Sequence, residues 1–171
     1  MHVQEPLLAE EDFIVLKDIV TGYNFPWHYR TEVIKGGIPG PGYFDHIVYG
    51  DNIPQSPFYD SIFNIFQKHL NFIVLARIRI NLNYRFSTPF FSDFHTDISE
   101  MKDSIAAQWT TSILYINTNN GYTELEDGTK IDSVANRLVS FPANTRHRFV
   151  SQTDKQTRYM INFGYLKYTT S

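Results

Sequence analysis

Residues 72–83 read FIVLARIRINLN, and this stretch decides the class of fold. Its first half is continuously apolar, and its second half alternates apolar and polar side chains. Ile78, Ile80 and Leu82 form the apolar set of that alternation. A period of two is typical of a β-strand with one buried face. The stretch therefore predicts a long strand that begins the sheet-forming part of the chain.

Strand-like runs continue from this stretch almost to the end of the chain. Turn-forming sequences separate them, such as Asn119-Asn120-Gly121 and Asp127-Gly128. Short strands at such spacing are typical of a sandwich or barrel. The short segment Phe94–Asp97 would complete a set of eight strands. The other runs are Gln108–Asn117, Tyr122–Glu126, Lys130–Val134, Arg137–Phe141, His147–Ser151 and Arg158–Leu166.

Two helices are predicted before the strands. Leu7–Val20 has apolar residues at helical spacing, namely Phe13, Ile14, Leu16 and Val20, and Gly22 follows as a stop signal. Ser56-Pro57 would begin the second helix as cap and first turn. Its apolar face would consist of Phe58, Ile62, Ile65, Phe66 and Leu70.

The resulting fold prediction is a mainly β protein with flanking helices. Its centre is a double-stranded β-helix, or jelly roll, with the two N-terminal helices packed outside. We predict one domain over residues 1–171, in which residues 1–71 provide helical support and loops and residues 72–166 form the jelly-roll core. The Gly36–Gly42 segment, rich in glycine and proline, is predicted to be a loop.

The composition excludes several classes of protein. The chain has 171 residues and no cysteine, so disulfide scaffolds, zinc–thiolate sites and thiol nucleophiles are ruled out. The formal net charge is −3, without a basic run, which makes nucleic acid an unlikely partner. No apolar stretch is long enough to span a bilayer, and the N-terminus lacks a signal-peptide pattern. These features predict a soluble, cytoplasmic protein that does not associate with a membrane.

A candidate metal site combines His95-Thr96-Asp97 with the later His147. In a strand, residues two apart point to the same side, so His95 and Asp97 can hold one ion. Two imidazoles and one carboxylate on one face of an Fe(II) ion leave positions open for further ligands. The alternative is a surface polar pair together with an ordinary core or surface histidine.

Arg158 is a candidate anion-binding residue. If the last hairpin turns at Asp154-Lys155, His147 lies opposite Asn162, and Arg158 shares the face of His147. About 13 Å of strand would separate the two, at about 3.3 Å per residue. The planar guanidinium can bind a carboxylate at two points. An arginine at the rim, paired with a nearby aspartate, is the alternative.

The ordered set His95-Thr96-Asp97, His147 and Arg158 resembles the 2-oxoglutarate/Fe(II)-dependent dioxygenase superfamily. Within it, the chain is similar to the prolyl-hydroxylase-like branch, including small phage-encoded members. Three further runs carry this similarity, namely ARIRINLN at 76–83, ILYINTNNGYTELEDGTK at 113–130 and NRLVSFP at 136–142. The resemblance covers residues 72–166. One departure is the loop after the first core strand, which lacks the Tyr-x-x-Gly segment of that branch.

The resemblance implies a role for each motif. His95, Asp97 and His147 would be the iron ligands, and Arg158 would bind the distal carboxylate of 2-oxoglutarate. Tyr115 would add a hydroxyl contact to that carboxylate, and Asn81 would lie beside the co-substrate. The implied reaction uses Fe(II), 2-oxoglutarate and O2 to hydroxylate a C–H bond, with release of succinate and CO2.

Other functions are compatible with the same residues. A cupin-like metal-binding module would use the same three ligands but has no need of Arg158. A structural protein with the same fold would need none of them. Within the oxygenase reading, a small-molecule or peptide substrate competes with a nucleic acid, for which Arg146 and Arg148 could form a local basic rim. The aromatic loops around Tyr43, Phe44, Phe90 and Phe91, and the stretch Glu100–Ala107, are the predicted substrate contacts.

Overall fold

The computed structural model describes residues 1–31, 41–98 and 101–168. The helices are α1 (Glu10–Thr21), α2 (Tyr59–Phe66) and the short α3 (Asp103–Ala106). The strands are β1 (His2–Gln4), β2 (His28–Arg30), β3 (Tyr43–Gly50), β4 (Ile53–Pro54), β5 (Phe72–Tyr84), β6 (Trp109–Tyr115), β7 (Tyr122–Leu125), β8 (Lys130–Asp132), β9 (Arg137–Pro142), β10 (His147–Val150) and β11 (Thr157–Lys167).

The strands form two antiparallel sheets. The major sheet has the order β1-β9-β6-β11-β5-β3-β2, with β4 paired to β3. The minor sheet has the order β10-β7-β8. Single bridges from Phe91 to Val150 and from His95 to His147 place residues 91–95 along the free edge of β10. Successive strands from β5 onward thus cross between two facing sheets, which confirms the predicted jelly roll.

The helices cover the outer face of the major sheet, as predicted. Leu16 and Val20 of α1 and Ile62 and Phe66 of α2 are buried in one apolar core. That core also receives the outward side chains of the central strands, including Ile78, Ile80, Leu114, Ile161 and Phe163. Ile14, predicted to lie on the buried face of α1, is instead 49% exposed, because the buried face of α1 lies along Leu16 and Val20.

The structure adds four strands that were not predicted. β1, β2, β3 and β4 all lie within residues 1–71, where only helices and loops were expected, and they extend the major sheet at both edges. β3 was missed because its buried positions include Asp45 and His46, which break the apolar alternation. Most of the predicted Gly36–Gly42 loop lies outside the described residues.

The predicted last hairpin is wrong in its pairing. β10 pairs with β7 in the minor sheet, whereas β11 pairs with β5 and β6 in the major sheet. His147 therefore does not lie opposite Asn162 on a neighbouring strand. The two side chains face each other across the interior of the sandwich, where both line the same cavity.

In the described part of the chain, no helix has the length and apolar character needed to cross a membrane.

Candidate metal centre and its cavity

The backbone of the sandwich brings together the three predicted metal ligands. His95 and His147 exchange both of their backbone hydrogen bonds, each at 2.9 Å, so they form a directly opposed pair. Their ring centroids are 4.7 Å apart. Asp97 lies two residues beyond His95, and donor atoms of the three side chains all lie within 4.8 Å of one another. One cation can contact all three.

Backbone carbonyls set the orientation of both imidazoles. Nδ1 of His95 lies 3.1 Å from the carbonyl oxygen of Asp93, and Nδ1 of His147 lies 3.0 Å from that of Thr145. A carbonyl can only accept, so each Nδ1 is assigned the proton and donates. The Nε2 atoms then present lone pairs to the interior. Such outer hydrogen bonds fix the tautomer and ring orientation of histidine ligands.

Asp97 is held ionised between Arg77 and the histidines. Burial alone would raise the pKa of its carboxyl, but the Arg77 guanidinium holds that pKa well below its usual range. Arg77 Nη2 lies 2.9 Å from Asp97 Oδ1. Burial and the neighbouring His147 lower the pKa of His95, which favours its neutral form. The ionised carboxylate of Asp97 and the neutral imidazole of His95 are the protonation states that metal binding requires.

The second carboxylate oxygen of Asp97 lies in a position that suits a metal ion. Oδ2 is buried, has no hydrogen-bond partner among the described residues, and lies 3.8 Å from Nε2 of His147. A buried carboxylate oxygen without a donor is costly. A divalent cation between Oδ2 and the two Nε2 atoms would satisfy it, and two histidines with one carboxylate suit Fe(II).

A cavity of about 250 Å³ opens from this centre into the sandwich. Asn81, Ile113, Met160 and Asn162 line it from the major sheet, and Thr123 and Phe149 line it from the minor sheet. Asn81, the predicted co-substrate contact, points into the cavity, and its Oδ1 has no hydrogen-bond partner in the described part of the chain. The cavity therefore presents both apolar surface and unpaired polar groups to a ligand.

Arg158 lies behind the wall of this cavity and is 0% exposed. Nη1 donates to the carbonyl oxygen of Val150 at 3.2 Å, and Nη2 lies 3.5 Å from Thr123 Oγ1. No carboxylate of the described residues pairs with it, so the alternative of a rim arginine paired with an aspartate is not observed there. Burial lowers the pKa of Arg158 to about 10. A buried cation without an anion is unfavourable, so this position suits an anionic ligand.

Tyr115 and Thr123 connect Arg158 to the cavity. The guanidinium lies over the Tyr115 ring, 5.5 Å from its centroid. The Tyr115 hydroxyl donates to Thr123 Oγ1 at 2.8 Å, and burial raises the pKa of Tyr115, which keeps it protonated. Only Thr123 of these three lines the cavity. A ligand carboxylate would reach the guanidinium by replacing its long contact with Thr123.

Sequence analysis missed several polar residues of the site. Arg77, Arg79, Asn162 and Thr123 line the cavity and had no predicted role. The alternation of β5 could have revealed the arginines, because it places them on the same face as Asn81. The predicted basic rim is neutralised, since Arg146 pairs with Glu126 at 2.7 Å and Arg148 pairs with Glu124 at 2.6 Å. Of the predicted aromatic loop residues, Tyr43 lines the cavity and Phe91 is 47% exposed.

Sequence comparisons find no matching family model and no matching curated protein. Solved structures do match. A prolyl hydroxylase from Trichoplax adhaerens, in complex with a hypoxia-inducible-factor peptide fragment, is 14% identical, with a TM-score of 0.63, over 97% of this chain and 83% of that one. The chain has the fold of the prolyl-hydroxylase-like 2-oxoglutarate oxygenases.

Two other prolyl hydroxylases support this fold assignment. The viral collagen prolyl hydroxylase of Paramecium bursaria Chlorella virus-1, in its 2-oxoglutarate complex, is 11% identical, with a TM-score of 0.58, over 98% of this chain and 96% of that one. A prolyl-4-hydroxylase from Pseudomonas putida is 15% identical, with a TM-score of 0.57, over 98% and 92%. The similarity to phage-encoded members and the cytoplasmic location stay predictions.

Proposed function

We propose that this protein is a dioxygenase dependent on Fe(II) and 2-oxoglutarate. It hydroxylates a C–H bond of a small-molecule or peptide substrate and releases succinate and CO2. His95, Asp97 and His147 hold the iron, Arg158 binds the distal carboxylate of 2-oxoglutarate with Tyr115 and Thr123 beside it, and Asn81 contacts the co-substrate. In the overall reaction, one oxygen atom of O2 enters the product and the other enters succinate.

The buried Arg158 carries this proposal. A metal-binding module of the cupin type uses His95, Asp97 and His147 equally well, but it has no use for a buried guanidinium without a counter-ion. A dicarboxylate that reaches the metal with one end and Arg158 with the other would supply that counter-ion. Because Arg158 is fully buried, such an ion pair would be stronger there than in water.

Each group of residues around the cavity has one role in the proposed reaction. The bound iron, when present, supplies the oxygen chemistry. His95, Asp97 and His147 would hold the metal, and the backbone carbonyls of Asp93 and Thr145 keep both imidazoles in the required tautomer. Arg158 orients the co-substrate, and the apolar wall formed by Ile113, Phe149 and Met160 limits water in the cavity.

The test is an anaerobic titration of the Fe(II)-loaded protein with 2-oxoglutarate. Chelation of the metal by the co-substrate gives a weak visible charge-transfer band, which we expect to appear and saturate. Under O2, the same mixture is expected to form succinate. If Fe(II) binds but no band forms at any 2-oxoglutarate concentration, the metal-binding module without oxygenase activity becomes the better description.

Arg77 is expected to position Asp97 for the metal. Replacing it in an Arg77→Met variant removes the donor to Asp97 Oδ1 and leaves that oxygen free to turn toward the metal or accept a proton. Because loss of an outer partner of a metal ligand typically costs about 10–100-fold in affinity, we expect a weakening of that size in Fe(II) binding. Competition with a chelator measures it.

An Arg77→Lys variant is the control for this prediction. It retains a positive charge beside Asp97 and should recover part of the metal affinity. Equal Fe(II) affinity in the wild type and in Arg77→Met would contradict a positioning role for Arg77.

A further inference from the structure

A second cationic side chain, Arg79, lines the cavity at a different level of the sandwich from Arg158. Arg79 lines the cavity from β5, two residues from Arg77, which contacts the metal ligand Asp97. Two residues of strand span about 7 Å. Arg79 and Arg158 lie apart, because the register partner of Arg158 on β5 is Asn83, four residues from Arg79. The co-substrate contact at Arg158 therefore leaves Arg79 for a second ligand.

Arg79 belongs to a trio with more positive than negative charge. Its Nη2 lies 2.9 Å from Asp45 Oδ2, and Arg30 Nε lies 2.9 Å from Asp45 Oδ1. Asp45 is 2% exposed, so both of its oxygens are occupied inside the protein. Two guanidiniums thus share one carboxylate among the described residues. Arg79, which faces the cavity, therefore shares its only carboxylate partner among the described residues with the half-exposed Arg30, and an anionic ligand would complete its charge compensation.

Part of the Arg79 guanidinium makes no hydrogen bond to the described residues. Nη2 also donates to the Tyr43 hydroxyl, but the buried Nε has no hydrogen-bond partner within the described residues. The guanidinium lies over the Tyr43 ring, 5.5 Å from its centroid, which holds its plane in place. A fixed, partly unpaired guanidinium is suited to a carboxylate, which it can bind at two points.

Hydrogen-bond acceptors lie beside this cation. Asn162 is the register partner of Arg79 on β11, and Asn81 follows Arg79 on the same face of β5. Both line the cavity, and the Oδ1 atoms of both are without a partner in the described part of the chain. Register partners in an antiparallel sheet have Cα atoms about 4.5–5.5 Å apart. Arg79 and Asn162 can therefore contact two groups attached to the same carbon atom of a ligand.

From this arrangement we propose that the cavity binds a free α-amino acid as the substrate to be hydroxylated. Arg79 binds its carboxylate, and Asn162 accepts N–H donors from its amino group. The short distance from Arg79 to the metal centre then brings the amino-acid side chain to the reactive position. This inference rests on the proposed oxygenase function, and its balanced reaction is the one given there.

The test supplies the Fe(II)-loaded protein with 2-oxoglutarate, O2 and each common L-amino acid in turn. We expect at least one amino acid to stimulate succinate formation and to gain the mass of one oxygen atom. The α-carboxamide of that amino acid keeps the N–H donors but lacks the charge, and it should be turned over poorly or not at all. If the charge-transfer band forms with 2-oxoglutarate but no amino acid stimulates, this inference fails and the proposed function stands. If no band forms, the proposed function itself fails.

An Arg79→Gln variant then assigns the contact. Loss of a charge-assisted hydrogen bond worth about 1.5–3 kcal/mol should raise the apparent KM for the amino acid by about 10–100-fold. The apparent Kd for 2-oxoglutarate should not change. A rise in that Kd, with no change in the KM for the amino acid, would place Arg79 in the co-substrate site and overturn the assignment. Arg85→Gln is the matched control, because Arg85 is an exposed arginine just past the end of β5.

A second variant covers the case in which Arg79→Gln fails to fold. Asn162→Leu removes the acceptor without disturbing the Arg79–Asp45–Arg30 trio. It should raise the KM for the amino acid while the 2-oxoglutarate band keeps its usual midpoint, which also shows that the variant is folded. An unchanged KM in this variant would remove Asn162 from the site and contradict the binding of an α-amino group there.

Discussion

Asp97→Ala and His147→Ala are each expected to abolish succinate formation. Asp97 Oδ2 and the Nε2 atoms of the two histidines are the converging donors of the site, so each variant removes one of three proposed metal ligands. The loss should exceed the about 10–100-fold expected when only an outer partner of a ligand is removed. Fe(II) binding measured by chelator competition, and succinate measured under O2, report the two consequences separately.

The chain offers controls for this prediction. His28 and His69 are exposed histidines outside the site, so His28→Ala and His69→Ala should leave both Fe(II) binding and succinate formation unchanged. An Asp97→Glu variant keeps the charge but moves the carboxylate by one methylene, and it should retain metal more than activity. Wild-type turnover in Asp97→Ala would refute the assignment of the metal centre.

Arg158→Gln is expected to raise the apparent Kd for 2-oxoglutarate by about 100-fold or more while Fe(II) still binds. Breaking a buried ion pair by removing one partner costs about 3–5 kcal/mol, and 2.7 kcal/mol already corresponds to about 100-fold. The midpoint of the charge-transfer titration measures this change. Arg158→Lys keeps the charge but loses the planar fork, so its midpoint should fall between those of the wild type and Arg158→Gln.

Thermal stability gives a second measurement for Arg158. A ligand that binds only the folded state stabilises it by RT ln(1 + L/Kd), where L is the free ligand concentration, so 2-oxoglutarate should raise the Tm of the metal-loaded wild type. That rise should disappear in Arg158→Gln at the same concentration and persist in Arg85→Gln. If Arg158→Gln is stabilised by 2-oxoglutarate as strongly as the wild type, the co-substrate binds elsewhere in the cavity.

The pKa of Arg158 also predicts how stability depends on pH without the co-substrate. Burial lowers its pKa to about 10, below the value in the unfolded chain, so the folded state binds this proton less tightly. Burial of the charged guanidinium destabilises the unliganded folded protein. Because the folded state releases this proton first, the free energy of unfolding should increase as the pH rises through about 10. A bound dicarboxylate favours the charged guanidinium and should reduce that dependence.

The predicted strands from β5 to β11 agree with the structure to within a few residues, because a period of two with turn residues between the runs is a local signal. The metal ligands were predicted from the resemblance of the ordered motifs to a known family, and the predicted strand Phe94–Asp97 forms only an isolated bridge at His95. Strands β1–β4 lacked the period-two signal. In β3, Asp45 and His46 are buried because they pair with side chains outside the strand. Arg30 and Arg79 pair with Asp45, and Ser56 bonds to His46.

The pairing between strands was the second feature that could not be predicted from the sequence. The sequence around Asp154-Lys155 suggested a simple hairpin, but β10 and β11 separate into the two sheets. Their short connection crosses the sandwich, and only the competition among β5, β6 and β7 for partners decides this. The conclusion that His147 and Arg158 serve one site survived, because both strands still direct these side chains toward the interior of the same sandwich.

The sequence by itself determined the jelly roll and the helices outside it, because these depend on alternation along each element, and its motifs indicated the residues proposed to bind iron and 2-oxoglutarate through their resemblance to a known family. Only the tertiary structure decided which polar groups remain unpaired. Among the described residues, Arg158 has no carboxylate partner, Asp97 has one oxygen without a hydrogen bond, and Arg79 and Arg30 share Asp45. Whether a buried charge is satisfied depends on neighbours far away in the chain, which no local pattern specifies.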